Sequence, residues 1–223
     1  MKSYLNGALA SRLFTGDSPF RGYLSEGADD SRVSIVTGPN ASGKSLMVRM
    51  VAATLNEEKI EPLQVSMRYR TMGGIHRAFM FGSDEDQSTG ATSLYAVQGA
   101  LRTSRQREKA HWVMLDEPDI GLAEEYAVAL GTYLAAYANE MPEHAKGMML
   151  VTHSRALVSG FVQALQKAPH FVHLETPMTL PKWLEKPAQR TVDELLALDD
   201  LGAKRWSAIE AILKKARGAR GTR

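Results

Sequence analysis

The 223 residues are 44% hydrophobic and 23% charged, with a formal net charge of +2. That is enough apolar material for one sizeable core with a small appendage, and the near balance of charge gives no global attraction to nucleic acid. The absence of cysteine excludes disulfides and thiolate metal sites, and it fits a reducing cytoplasm.

No apolar run approaches the roughly 20 residues that cross a bilayer. The N-terminus, Met1-Lys2-Ser3-Tyr4-Leu5-Asn6, lacks the apolar stretch of a secretion signal. The expectation is a cytoplasmic protein without membrane insertion. Residues 1 to 31 are rich in Gly, Ser and Asp and give no clear period. From Arg32 onward, apolar strand-like runs alternate with helix-like stretches. Val33 to Val36 predicts a buried strand ending at a Gly-Pro turn. Leu46, Met47, Met50, Val51, Thr54 and Leu55 then fall on one helical stripe. Gln64 to Arg70 and His76 to Phe81 read as strands around a Gly73-Gly74 turn, and Leu94, Val97 and Leu101 mark the next helix. Trp112 to Leu115 is a strand, with Tyr126, Leu130, Tyr133, Leu134 and Tyr137 on the helix after it. Met148 to Val151 and Phe171 to Leu174 are the last strands, separated by a helix carrying Leu157, Phe161 and Leu165. Strands alternating with helices, and apolar throughout, predict an α/β fold with a mostly parallel sheet covered by helices on both faces.

Gly38-Pro39-Asn40-Ala41-Ser42-Gly43-Lys44-Ser45 has the G-x-x-x-x-G-K-[ST] spacing of a P-loop. The glycines let successive backbone N–H groups face the phosphates of ATP. Lys44 is expected to reach the β- and γ-phosphates, and the Ser45 hydroxyl to ligate Mg²⁺. The helix that follows adds its positive N-terminal end. Leu115-Asp116-Glu117-Pro118 closes the Trp112 strand, and an acid there lies where ligands bind in open α/β sheets. Asp116 is the second expected holder of the same Mg²⁺, through a water, and Glu117 is the expected base that polarises a water for in-line attack. His153, just past the Met148 strand, is placed to hydrogen-bond the γ-phosphate or that water. The blander readings are an acidic strand end for Asp116 and Glu117, and a helix-entry residue for His153.

These motifs resemble the ABC-type ATPase fold: "GPNASGKS", "LDEP" and "VTHS" are similar to its Walker A, Walker B and H-loop. The resemblance covers about residues 32 to 175 and points to the non-transporter branch, similar to MutS-, SMC- and RecF-type ATPase heads. It implies a signature loop between the cradle and the second acid, and Asp86 to Leu94 occupies that interval. Ser88 and Gly90 match the Ser and second Gly of LSGGQ; alternatively Thr89 to Leu94 is similar to the S-G-x-S-T-F stretch of the MutS mismatch-repair ATPase. In the family this loop caps the γ-phosphate held by the other subunit. The alternative is a helix N-cap with no ligand. Ala123 stands where the family's D-loop carries Asp. Gln64 and Gln87 are candidates for the Q-loop, and Tyr23 or Phe20 for the aromatic that stacks on adenine.

The interval from Lys44 to Ser88 has room neither for a transporter's helical subdomain nor for a long coiled coil. Residues 1–180 are expected to form the ATPase domain and 181–223 a short helical basic extension. In that extension Thr191 to Glu194 forms a capping box, and Trp206, Ile209 and Leu213 stripe a helix, read as packing in preference to a base-stacking platform. Lys214, Lys215, Arg217, Arg220 and Arg223 follow with no acid among them, read as a solvated helix end. The favoured function is an ATPase forming an ATP-dependent homodimeric clamp, with a partner protein expected and DNA as a candidate substrate, in DNA maintenance or defence. Two alternatives compete with it. The ATPase subunit of a membrane transporter requires a clear LSGGQ and a fuller helical subdomain. A P-loop small-molecule kinase needs neither Glu117 nor His153, and on it Arg102, Arg105 and Arg107 form a lid over phosphates.

Overall fold

The computed structural model describes residues 1–66, 88–185 and 189–218, with backbone alone at 217 and 218. The expected strand over His76 to Phe81, and Gln87, lie outside these residues. Among these described residues the sheet has six strands: β1 (Gly22–Ser25), β2 (Val33–Thr37), β3 (Glu61–Ser66), β4 (His111–Asp116), β5 (Ala145–Val151) and β6 (His170–Leu174). Their spatial order is β1-β6-β2-β5-β4-β3. All pairings are parallel except β1 with β6.

Residues of one strand alternate between two apolar layers. Ile35, Val113, Leu115, Met148, Leu150 and Phe171 face one; Val36, Met114, Met149, Val151, Val172 and Leu174 face the other. Burial on both faces is why these strands read as continuous apolar runs. The first layer is closed by α3 (Thr89–Gln106), α4 (Glu124–Asn139), α5 (Arg155–Ala164) and the short α6 (Leu180–Glu185). The second is closed by α1 (Lys2–Leu9), α2 (Lys44–Glu57) and Ile209 of α8 (Leu198–Gly218). Handedness dictates this partition. From β2 the chain crosses to β3 at the far edge through α2, then returns strand by strand to β5 and past β2 to β6. Right-handed crossovers running in opposite directions place their helices on opposite faces.

Three sequence expectations are corrected. The third strand starts at Glu61 rather than Gln64; among the described residues it is an edge strand, where Pro62 is tolerated because no ladder partner among them needs its missing N–H. Residues 1 to 31, which show no period, contain α1 and β1. Each buries too little to pattern the sequence: α1 hides only Leu5 and Ala8, and no residue of β1 is fully buried. The helix stripes are also rotated. The buried face of α2 is Met47, Val48, Val51, Ala52 and Leu55 with Thr54 in solvent, while Leu94, Tyr126 and Tyr133 are exposed.

Within the first layer a polar network is buried. The His111 Nδ1–H donates to the Lys109 carbonyl at 2.8 Å, which leaves Nε2 to accept from the Ser104 hydroxyl at 2.6 Å. Ser104 Oγ in turn accepts from the Tyr137 hydroxyl. Every member is paired and none is more than 1% exposed, so this Ser–His contact is structural.

The C-terminal segment opens with α7 (Val192–Leu196), whose Thr191–Glu194 capping box forms as expected. The α8 helix docks on the sheet side that holds α2, through fully buried Ile209, worth about 1.5–3 kcal/mol. No helix of the described residues is long and apolar enough to cross a membrane.

Candidate nucleotide site

Register brings the three motifs together. Val36 of β2 pairs with Val151 of β5, and Asp116 of β4 pairs with that same Val151. The loop after β2, the acids ending β4 and the histidine after β5 therefore leave the sheet side by side. Helices α2 and α5 depart from β2 and β5 to opposite faces, so a crevice opens between them, the place where open α/β sheets bind ligands.

The loop from Gly38 to Gly43 curls into α2. Gly43, the N-cap, sits at φ +97°, and an added Cβ would lie 3.0 Å from the Phe20 ring. Ala41 is also left-handed, at φ +59°. Lys44 is 7% exposed, and its ammonium donates to the carbonyls of Gly38 at 3.1 Å and Pro39 at 2.9 Å. A cation folded into a glycine-rich loop at a helix N-terminus makes a strongly anion-seeking concavity. Ser42 adds a further signal: its hydroxyl is buried and makes no hydrogen bond, an unmet polar group of the kind native folds avoid unless a ligand or water meets it.

Glu117 follows β4 at φ +54°, a conformation that costs a non-glycine residue about 1–3 kcal/mol and concentrates at functional sites. Its N–H donates to the Val151 carbonyl at 2.8 Å, extending the ladder one residue past Asp116. Its carboxylate meets His153 Nε2 at 3.1 Å. Asp116 is 8% exposed and accepts from the Ser66 hydroxyl at 3.1 Å, just behind Glu117. Thr152 donates to Asp119 Oδ1 at 2.9 Å, tying the turn after Glu117 to the strand that carries His153.

Asn40 to Ser45, Glu117 and His153 all line one cleft of about 340 Å³, within the size range of small-ligand pockets. Ser88 and Gly90 do not reach it. Ser88 is the N-cap of α3, accepting from Ala91 N–H at 3.3 Å. At Gly90 a Cβ would meet the Gly121 carbonyl at 2.7 Å, so the helix start is pressed against the turn that follows Glu117. Ala123, at the D-loop Asp position, is the N-cap of α4 without a side-chain bond.

Phe20 forms the buried floor of the cleft, 6% exposed; Tyr23 sits on β1 opposite His173, outside the cleft lining. Gln64 pairs with Met114 inside the sheet. The arginines expected as a kinase lid stand elsewhere. Arg107 pairs with Glu61 at the start of β3, the sheet end remote from the cleft, and Arg105 lies over Tyr137.

Sequence reading missed the contribution of α8 to this cleft. Gly202, Arg205 and Trp206 line it, and Arg205 donates to the Ala41 carbonyl at 2.9 Å while pairing with Glu175. No spacing rule links residue 205 to residue 41. The only local signal was an aromatic and an arginine on a helix with few other anchors. Compared with protein-family models and with curated proteins, the chain gives no significant match.

Proposed function

We propose that the protein is a Mg·ATP-binding hydrolase of ABC type that works as a nucleotide-dependent dimeric clamp. The observation carrying this reading is the convergence on one cleft of the Gly38–Ser45 loop, Glu117 and His153, with the last two 3.1 Å apart. The loop N–H groups and Lys44 hold the triphosphate. The unpartnered Ser42 hydroxyl and the half-buried Ser45 at the rim suit a further anionic oxygen and a hard cation. Ser45 and Asp116 would hold Mg²⁺, which supplies neutralisation of the phosphate charge.

Glu117 accepts a proton from the attacking water as the water oxygen bonds to the γ-phosphorus and the β–γ bridging bond breaks, giving ADP and phosphate. His153 orients that carboxylate and steadies the γ-phosphate. Ser88 and Gly90, remote from the cleft of their own protomer, act across a dimer: they cap the γ-phosphate of the partner, and closure excludes water from the reacting atoms. Hydrolysis then releases the clamp. A partner protein would couple this cycle to its target, DNA being the candidate.

Light-scattering mass of Glu117→Gln protein with and without Mg·ATP tests the clamp. A shift from one protomer to two on adding ATP is expected; a mass indifferent to ATP removes Ser88 and Gly90 from the mechanism.

A further inference from the structure

The phosphate half of the cleft is built from the loop after β2, but the other wall comes from the far end of the chain. We propose that α8 supplies the nucleoside half of the site, with the indole of Trp206 as the surface on which the base stacks. This inference rests on the nucleotide-binding reading and extends it.

Four observations carry it. Trp206 lines the same cleft as Lys44 and Ser45, and it is 47% exposed where a tryptophan of purely structural role would be covered. The other tryptophans behave that way: Trp112 and Trp183 are 1% and 6% exposed. The ring is held in place rather than free. Its Nε1–H donates to Glu210 at 3.0 Å, one turn along the helix, and the Arg49 guanidinium lies 5.6 Å from its centroid. Arg49 in turn donates to the Ser45 carbonyl at 3.2 Å, which links the indole to the first turn of the phosphate-binding helix. Finally, Arg205, the residue before it, clamps α8 to the crest of the loop at Ala41. A base leaving the triphosphate toward α8 therefore meets a fixed aromatic face flanked by a planar cation. Stacking of this kind tolerates any base because every base has a π-face. Phe20, the upstream aromatic, is buried beneath Gly43 and offers no such face.

The test uses the full chain and two ligands, Mg·ATP and Mg·tripolyphosphate, titrated calorimetrically into wild type, Trp206→Ala and Trp206→Phe. Trp206→Ala should weaken ATP by roughly 5- to 150-fold, the range for losing one base–aromatic stack. Its affinity for tripolyphosphate should not change, and Trp206→Phe should restore most of the ATP affinity. Because Trp206 is the exposed indole, ATP should quench the wild-type tryptophan emission, tripolyphosphate should not, and Trp206→Phe should abolish the response. Unchanged or tighter ATP binding by Trp206→Ala overturns the proposal, the latter marking the indole as an obstruction. Equal loss of both ligands also overturns it, since α8 would then act by shaping the loop. A wild type that binds neither ligand refutes the nucleotide reading itself, a distinguishable failure.

Discussion

Replacing Gly160 by alanine would set a methyl carbon 2.2 Å from the Val128 carbonyl oxygen, and the reciprocal change at Gly131 would meet the Leu157 carbonyl at the same 2.2 Å. Carbon–oxygen contacts are comfortable only from roughly 3.3 Å, so each substitution demands about 1 Å of separation between α4 and α5. The obstacle is backbone on both sides, and no flexible side chain can swing away to provide it. Overpacking of this kind costs about 1–3 kcal/mol and sometimes more. The consequence reaches the site, because α4 follows Glu117 and α5 follows His153. Moving the helices apart strains the 3.1 Å contact between those side chains. Urea unfolding should show each single variant destabilised by at least about 1 kcal/mol with an unchanged slope, and turnover should fall in the folded variant. Since the two contacts are met by one shared displacement, the double variant should cost less than the sum of the singles. A midpoint for Gly160→Ala indistinguishable from wild type would refute the close approach of these helices.

Three further predictions follow from the same geometry. Lys44→Ala should abolish measurable Mg·ATP binding while leaving the fold intact, checked by calorimetry and circular dichroism; undiminished affinity would sink its assignment to the phosphates. Ser104→Ala should strand the His111 and Tyr137 partners in the core, each worth about 1–3 kcal/mol when unsatisfied, with ATP binding unaffected; a stability change below about 0.5 kcal/mol would contradict the network. Burial holds the imidazoles of His170 and His173 below their ordinary value of 6.5. The unfolded chain therefore binds more protons as the pH falls through 6.5, so their contribution is present in full above that value and is lost as the pH drops toward their folded-state values. The melting temperature should be flat from pH 8 to 7 and decline from about pH 6.5 to 5.5. His173→Gln should flatten part of that decline, and an equally steep fall in the variant would point to other groups.

What the sequence revealed depended on how local the physics was. The Gly38–Ser45 loop reads as a candidate phosphate cradle because phosphate binding by backbone N–H groups needs glycines at fixed offsets next to a lysine. Asp116, Glu117 and His153 were legible because strand ends concentrate ligand-binding groups, and the register between β2, β5 and β4 does bring Glu117 and His153 to the loop, with Asp116 directly behind. The mostly parallel sheet was legible from uninterrupted apolar runs. Elements that bury little left no period: α1 hides two side chains, and β1 is a half-covered edge. Pro62 disguised the start of β3, because its edge position among the described strands, the circumstance that tolerates it, is a property of the assembled sheet. The pairing of Gly131 with α5 and of Gly160 with α4, and the docking of α8 beside the loop, are contacts between distant segments. Nothing in either segment alone encodes them.

The central claim is that Glu117 serves chemistry rather than binding. Its most direct test is phosphate release from Mg·ATP by purified wild type and Glu117→Gln, with ATP affinity measured on the same preparations. The amide is nearly isosteric and can still hydrogen-bond His153, but it cannot take a proton. Turnover should fall by about 10²–10⁴ while the affinity for ATP is retained. Equal phosphate release by the two proteins, or a wild type that binds ATP without hydrolysing it, would contradict the account.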